Sequence, residues 1–272
     1  MQSTTRRPAV AGSFYPADPE TLRHELESLT GGRLPAGGAV ARALMVPHAG
    51  YIYSGRIAAE TFLASRLPER VVVLGPNHTG AGEAVAVMDR GTWSLPLGEA
   101  PIDAPLAAAI LDRCHAARAD GVAHRREHSL EVQIPFLQLL DPGFRFVPIC
   151  VGTQRLETLL DLGRALAEAI AAAGTEVLLV LSSDMSHYVE ASEAERLDRL
   201  AIDRVLAIDP VGLHRVVDER LISMCGVAPV VAGLEAARRL GATSARLVAH
   251  GHSGERSGDF GSVVGYAGVA VF

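Results

Sequence analysis

Four short apolar runs limit the folds open to this chain more than any other feature. They are "ARALMVP" (residues 41–47), "RVVVLGP" (70–76), "FRFVPICVG" (144–152) and "EVLLVLSSD" (176–184). A strand with one wet face alternates apolar and polar side chains, whereas these runs are apolar at odd and even positions alike. They read as strands covered on both faces. "AVAVM" and the C-terminal "SVVGYAGVAVF" are further strand candidates.

Helical patterns lie between the runs and supply the cover. "PETLRHELESL" follows Asp18, which predicts an Asp18 N-cap with Pro19 in the first turn. "SGRIAAETFLASRL", starting near Ser54, "APLAAAILDRCH" and "EHSLEVQIPFLQLL" come next, followed by "RLETLLDLGRALAEAIAAAG", "ASEAERLDRLAIDRVLAI" and "GVAPVVAGLEAARRLG". Gly174 and Gly241 stand where C-terminal caps belong. The alternation predicts an α/β protein, a three-layer α/β/α sandwich with a mostly parallel or mixed central sheet, as one domain over residues 1–272. "GGRLPAGG" reads as a connecting loop.

Composition excludes several classes of function. The net charge of −6 argues against a general nucleic-acid binder, which would need a basic face. No run of about 18 apolar residues is present, so no transmembrane helix is expected. The first residues lack the apolar core of a secretory leader. Three widely spaced cysteines (Cys114, Cys150, Cys225) do not make a disulfide framework and predict a cytoplasmic location.

In open α/β sheets, sites form beyond the carboxyl ends of the strands. His48 follows "ALMVP", His78 follows "VVVLGPN", and Asp184 and His187 follow "VLLVLSSD". If these strands are parallel neighbours, the four side chains share one sheet edge. "RREHSLEVQ" places Glu127 and His128 at an expected helix start, and "SMCGVAP" places Cys225 before another, where a helix N-terminus lowers a thiol pKa. Each residue also has a plainer reading. Glu127 can serve as a helix-dipole partner, Cys225 as a small buried hydrophobe, and Tyr51 and Tyr53 as packing residues with wet hydroxyls. Cys114 and Cys150 read as core. His24, His115, His124 and His214 read as surface residues, and His250 and His252 as candidates for the same edge.

Two imidazoles and a thiolate suit Fe(II), Zn or Cu better than Mg or Ca, and three protein ligands leave an open position. His187 is then the acid or base, with Asp184 fixing its tautomer or a neighbour's. The competing arrangement is metal-free: Cys225 as nucleophile, His187 as its base and Asp184 as the orienting group. It leaves His48 and His78 unused. A serine nucleophile at Ser182 or Ser183 lacks the G-x-S-x-G elbow, and no nucleotide-binding motif is present.

The segments "RRPAVAGSFYP", "VPHAGYIYSG", "LGPNHTG", "EHSLEVQIPFLQ", "SSDMSHY" and "MCG", in this order, resemble the Memo family, called AmmeMemoRadiSam system protein B in bacteria and archaea. The resemblance covers nearly the whole chain. It implies a fold like the class III extradiol ring-cleaving dioxygenases, which hold non-haem Fe(II) with two His and a Glu. It implies that His48, His78 and Cys225 ligate the metal, Cys225 standing where those enzymes have Glu. It further implies that Asp184 and His187 line the pocket, His187 as acid or base. Fe(II) is then the leading metal, with Cu and Zn as alternatives. Tyr51, Glu127 and His128 are the expected substrate contacts. The ligand is a small molecule or peptide, and the implied protein partners are AMMECR1-like and radical SAM proteins. Family activities divide between dioxygenase-type or copper-dependent redox chemistry and non-catalytic binding, with peptide recognition and a scaffold role. One departure is "VAPV" after "MCG", where some relatives carry a polar or basic residue after the glycine.

Overall fold

The computed structural model describes residues 5–272. In chain order the strands are β1 (Thr5–Arg6), β2 (Ala43–Val46), β3 (Arg70–Pro76), β4 (Val85–Val87), β5 (Thr92–Leu95) and β6 (Gly98–Pro101), then β7 (Arg118–Ala119), β8 (Arg145–Val151), β9 (Val177–Ser182), β10 (His187–Val189), β11 (Ala245–His252) and β12 (Val263–Val271). The helices are α1 (Pro19–Thr30), α2 (Tyr51–Leu63), α3 (Ala104–Arg113), α4 (Ile134–Leu140), α5 (Leu156–Ala173), α6 (Ala191–Leu206), α7 (Pro210–Glu219), α8 (Val227–Arg239) and the short α9 (Gly254–Ser257).

The main sheet runs β10-β12-β2-β9-β3-β8-β4-β7, with β11 also paired to β12. Its centre, β2-β9-β3-β8, is parallel. Strands β12 and β4 flank that centre in antiparallel orientation, so the sheet is mixed. The apolar runs at both parities are explained by the two cores. Val71, Val73, Leu178 and Val180 face one core, while Val72, Leu74, Leu179 and Leu181 face the other. Helices α3 and α5–α8 cover the second face, and α1, α2, α4 and the small β1-β5-β6 sheet cover the first. This is the expected three-layer α/β/α arrangement. No helix among the described residues is long and apolar enough to cross a membrane.

Local signals account for most element ends. The Asp18 side chain accepts from Thr21 N at 2.9 Å, and Gly31 closes α1 with φ 63°. Gly174 closes α5 in the same left-handed conformation. Other boundaries differ from expectation. Helix α2 begins at Tyr51, not Ser54. Its first amides are already used, Tyr51 N by Phe14 O and both Tyr53 N and Ser54 N by Gly50 O. Residues 127–140 do not form one helix, because Glu127 and His128 precede a 3-10 turn at Glu131–Gln133 that leads into α4. The β5-β6 hairpin and α7 were not expected. His124, read as a surface residue, is fully buried with its ring 6.0 Å from that of Trp93.

The N-terminal arm is fastened from inside. Arg6 pairs with the buried Glu131, donates to His124 O and Glu127 O, and lies 4.2 Å over the Trp93 ring. The Glu131 carboxylate also accepts from Ala9 N, Val10 N and Tyr15 Oη. These bonds place Phe14 against His128, ring centroids 4.8 Å apart.

Candidate functional site

Three parallel neighbours, β2, β9 and β3, end side by side, with Val46 opposite Ser182 and Leu74 opposite Leu181. The chain leaves them through His48, Asp184 and His78, so the condition set by the sequence, adjacent parallel strands, is met. The loop 127–130 reaches this edge because Gly75 has no side chain. A Cβ there would stand 2.6 Å from Ser129 Oγ and 2.8 Å from Leu130 Cδ1. On the other side Gly226 lets the start of α8 press against the Ser182 carbonyl and the Ser183 side chain, which delivers Cys225.

Hydrogen bonds fix the imidazole tautomers. The Ser182 hydroxyl donates to Ser129 O at 2.7 Å and accepts from Gln133 Nε2 at 2.9 Å. With its proton committed, Ser182 Oγ can only accept from His48 Nδ1, 2.9 Å away. The His48 proton therefore sits on Nδ1 and Nε2 is bare. His78 is set in the same way by Glu127, whose Oε1 accepts from His78 Nδ1 at 2.9 Å while Oε2 accepts from His78 N at 2.6 Å. Ser129 N donates to the same carboxylate at 2.9 Å. Burial works to raise the Glu127 pKa, but the His78 hydrogen bond and charge, the Ser129 N–H and His128 bring it down to about 2. A carboxylate that is ionised only accepts, so His78 also presents a bare Nε2.

His128 stacks on His78 at 4.6 Å between centroids and meets His48 edge-on at 5.5 Å. One ring nitrogen from each of His48, His78 and His128 lies within 4.8 Å of the others, a spacing able to hold a metal ion. Cys225 Sγ is 3.1 Å from His48 Nε2. Burial lowers the pKa of His48, helped by the charges of the surrounding histidines, and burial also lowers that of His128. The neutral, ligating forms are thus favoured.

Asp184 does not orient His187. Its Oδ1 accepts from His48 N at 2.7 Å, and its Oδ2 is 4.0 Å from His48 Nε2. Burial raises its pKa against the backbone N–H groups it accepts from. His187 is oriented by carbonyls instead: Nδ1 lies 2.8 Å from Met185 O and 3.0 Å from Ser223 O. Both are acceptors, so the proton is on Nδ1 and a bare Nε2 remains. Nor is His187 the partner of Cys225, whose imidazole neighbour is His48. The expected fall in the Cys225 pKa is reversed. Burial pushes the thiol well up, and the Asp184 charge adds to it.

These groups line a pocket of about 480 Å³, with Phe14, Tyr188 and Tyr266 among its walls. Other expectations lie outside it. Tyr51 is buried among Tyr15 and Phe136, and its hydroxyl donates to Val132 O at 2.7 Å. Glu127 is fully buried behind His78. His250 pairs with Asp198 at 3.2 Å, and His252 lines a neighbouring cavity. Cys114 and Cys150 are core, as read. Sequence reasoning missed the fixing role of Ser182 and Gln133 and the grouping of His128 with the other two histidines. The sequence does carry one hint, because "EHS" sets a carboxylate and an imidazole side by side.

Fold and site together define a class: a three-layer α/β protein with a histidine-centred donor cluster at the carboxyl ends of its central parallel strands. The particular assignment follows from comparison. The family model described as Memo-like protein matches residues 6–270, and the chain belongs to that family. It is 42% identical over 276 residues to a MEMO1 family protein of Methanopyrus kandleri, covering 97% of this chain and 98% of the relative. A MEMO1 family protein of Aquifex aeolicus is 43% identical over 265 residues, with 97% and 98% covered. Among solved structures, an uncharacterized protein of Escherichia coli K12 shares the fold, with a TM-score of 0.56 at 16% identity over 84% of this chain and 98% of that one.

Proposed function

We propose that this protein is a metal-binding member of the Memo family working as a non-haem iron-dependent oxidoreductase of dioxygenase type, with copper or zinc as the alternative ions. One observation carries the reading. His48 and His78 each have Nδ1 tied to a fixed acceptor, Ser182 and Glu127, which leaves both Nε2 atoms unprotonated beside His128, that of His48 3.1 Å from Cys225 Sγ. A ligating imidazole usually donates its other ring N–H to a carboxylate, a backbone carbonyl or water, the place that Glu127 and the Ser182 hydroxyl take here. The donor set also fits by chemistry, because imidazoles with an adjacent sulfur suit Fe(II), Cu or Zn.

His48 and His78 would hold the ion, with Cys225 and His128 on either side as further donors. When bound, the ion supplies Lewis acidity and, for iron or copper, redox chemistry. His187 Nε2 faces the pocket as a proton acceptor for a ligand hydroxyl, its imidazole held by two carbonyls. Asp184 anchors the backbone of His48. Phe14 and Tyr188 form part of the pocket wall.

A second reading, a binding or scaffold protein that uses the pocket without turnover, has its own support. Tyr188 is 78% exposed at the pocket mouth and holds φ 58°, a strained conformation for a tyrosine. The AMMECR1-like and radical SAM partners belong to this reading. A metal-free cysteine hydrolase is weaker, since burial disfavours the thiolate and His187 is not its base.

Metal content after oxygen-free purification tests the proposal. Near-stoichiometric iron or copper is expected in the wild type, with loss in His48→Ala and Cys225→Ala. Fe(II)-loaded protein is then expected to consume O₂ with a catechol-type substrate, and His187→Ala to lose that activity while keeping its metal. Protein that cannot be loaded with Fe(II), Cu or Zn overturns the proposal. Loaded protein without turnover favours the binding reading.

A further inference from the structure

A second cavity of about 540 Å³ lies beside the histidine pocket, between the end of α1, the first turns of α2 and α9. The two cavities meet at Tyr266, which lines both and is itself 2% exposed. Three arginines reach the second cavity, and they differ in how far they are committed. Arg33 is neutralised by Glu60 at 2.5 Å, and its Nε donates to Thr30 O. Arg256 is held at one end only, where Nε donates to Ile52 O at 3.0 Å. Its two terminal nitrogens have no hydrogen-bond or carboxylate partner among the described residues. Arg56, one turn beyond Ile52 on α2, has none either.

Glu255 also lines the cavity, with Oε1 accepting from His252 N at 3.1 Å. Three arginines against Glu60 and Glu255 leave one surplus positive charge, in a protein whose net charge is −6. A positive cavity in an acidic protein does not follow from its composition. A guanidinium pinned through Nε keeps its terminal N–H groups in a fixed fork, the geometry that takes a planar carboxylate or a phosphate oxygen pair.

We propose that this cavity is an anion site, binding the carboxylate or phosphate group of a small-molecule ligand between Arg256 and Arg56. It does not depend on the metal reading. It is separated from the histidine pocket by the shared wall residue Tyr266.

The test uses the full chain, metal-free, titrated with inorganic phosphate and separately with acetate and malonate. Backbone amide shifts of Gly31 and Ile52 and the Arg256 side-chain Nε–H signal report binding. Saturable shifts confined to this cavity are expected, with affinity falling roughly tenfold or more in Arg56→Gln and Arg256→Gln. Arg56 has no partner to lose, so its variant keeps the fold. Arg256→Lys keeps the charge without the fork and is expected to bind less tightly than the wild type. Arg66→Gln, outside the cavity, is expected to bind like the wild type. Binding of phosphate alone or of carboxylates alone identifies which group the site takes. Shifts that do not saturate, or that persist unchanged in both glutamine variants, overturn the proposal, and the metal content of the same protein stands as a separate result.

Discussion

Replacing Glu127 by Gln changes the charge and the donor pattern behind His78 while barely changing shape. The carboxylate accepts from three donors, His78 Nδ1, His78 N and Ser129 N. An amide has one oxygen and one NH₂, so at least one of the three donors must meet the NH₂ group. With the NH₂ on the Oε1 side it meets both His78 Nδ1 and Ser129 N, and moving the His78 proton to Nε2, so that Nδ1 accepts from the amide, relieves the first. That tautomer places a proton where the ligating lone pair should be. The energy at stake follows from the Glu127 pKa, lowered from 4.5 to about 2. At roughly 1.4 kcal/mol per pH unit, the folded protein prefers the ionised carboxylate by about 3 kcal/mol. Because the folded value lies below the unfolded one, this stabilisation is complete above about pH 4.5 and is lost as pH falls toward 2. Metal affinity is expected to drop roughly 10- to 100-fold in Glu127→Gln. Competition with a chromophoric chelator measures this, and nitrogen NMR of the imidazoles reads the His78 tautomer. Wild-type affinity with His78 still protonated at Nδ1 would refute the argument that Glu127 sets the ligand.

The two donors beside His48 are separable: Cys225→Ala is expected to weaken Cu(I) more than Zn(II), and His128→Ala to weaken Zn(II) at least as much. Equal losses for both ions in both variants would contradict that division. Burial and the Arg6 charge lower His124 from 6.5 to about 4. It is neutral when folded and takes a proton on unfolding, so stability is expected to fall by about 3 kcal/mol between pH 6.5 and 4. Denaturant midpoints across that range measure the fall, and an unchanged pH slope in His124→Leu counts against its source. Arg6→Ala leaves the Glu131 charge buried and unpaired, and urea unfolding should show a loss of about 3–5 kcal/mol. A loss below about 1 kcal/mol means that the arm is held by packing instead.

The sheet was legible because each central strand faces two cores, which writes apolar residues at every position of Val71 to Leu74 and Leu178 to Leu181. The positions of His48, His78 and Asp184 were legible for a related reason, since parallel strands end at a common edge. What the sequence concealed was long-range. Arg6 and Glu131 lie 125 residues apart, and nothing in "TRRPAV" distinguishes the arginine that goes inside from its neighbour. His124 sits in "VAHRRE", a polar stretch without periodicity, and is buried only because Trp93 and the arm close over it. The true start of α4 was hidden because "EHSLEVQ" has helix-forming composition, while Glu127 is drawn out of any helix by the donors of His78 and Ser129.

Strand β2, which aims His48, lies between β9 and β12 in the sheet. A ribosome delivers β2 more than 200 residues before its antiparallel neighbour β12 (Val263–Val271). A growing chain leaves both edges of β2 bare until β9 follows, and one edge bare until β12 does. The latch on Glu131 likewise waits long after Arg6 has emerged. Assembly of the histidine cluster is therefore expected only once β12 has been made, and an ion arriving earlier would meet its donors one at a time.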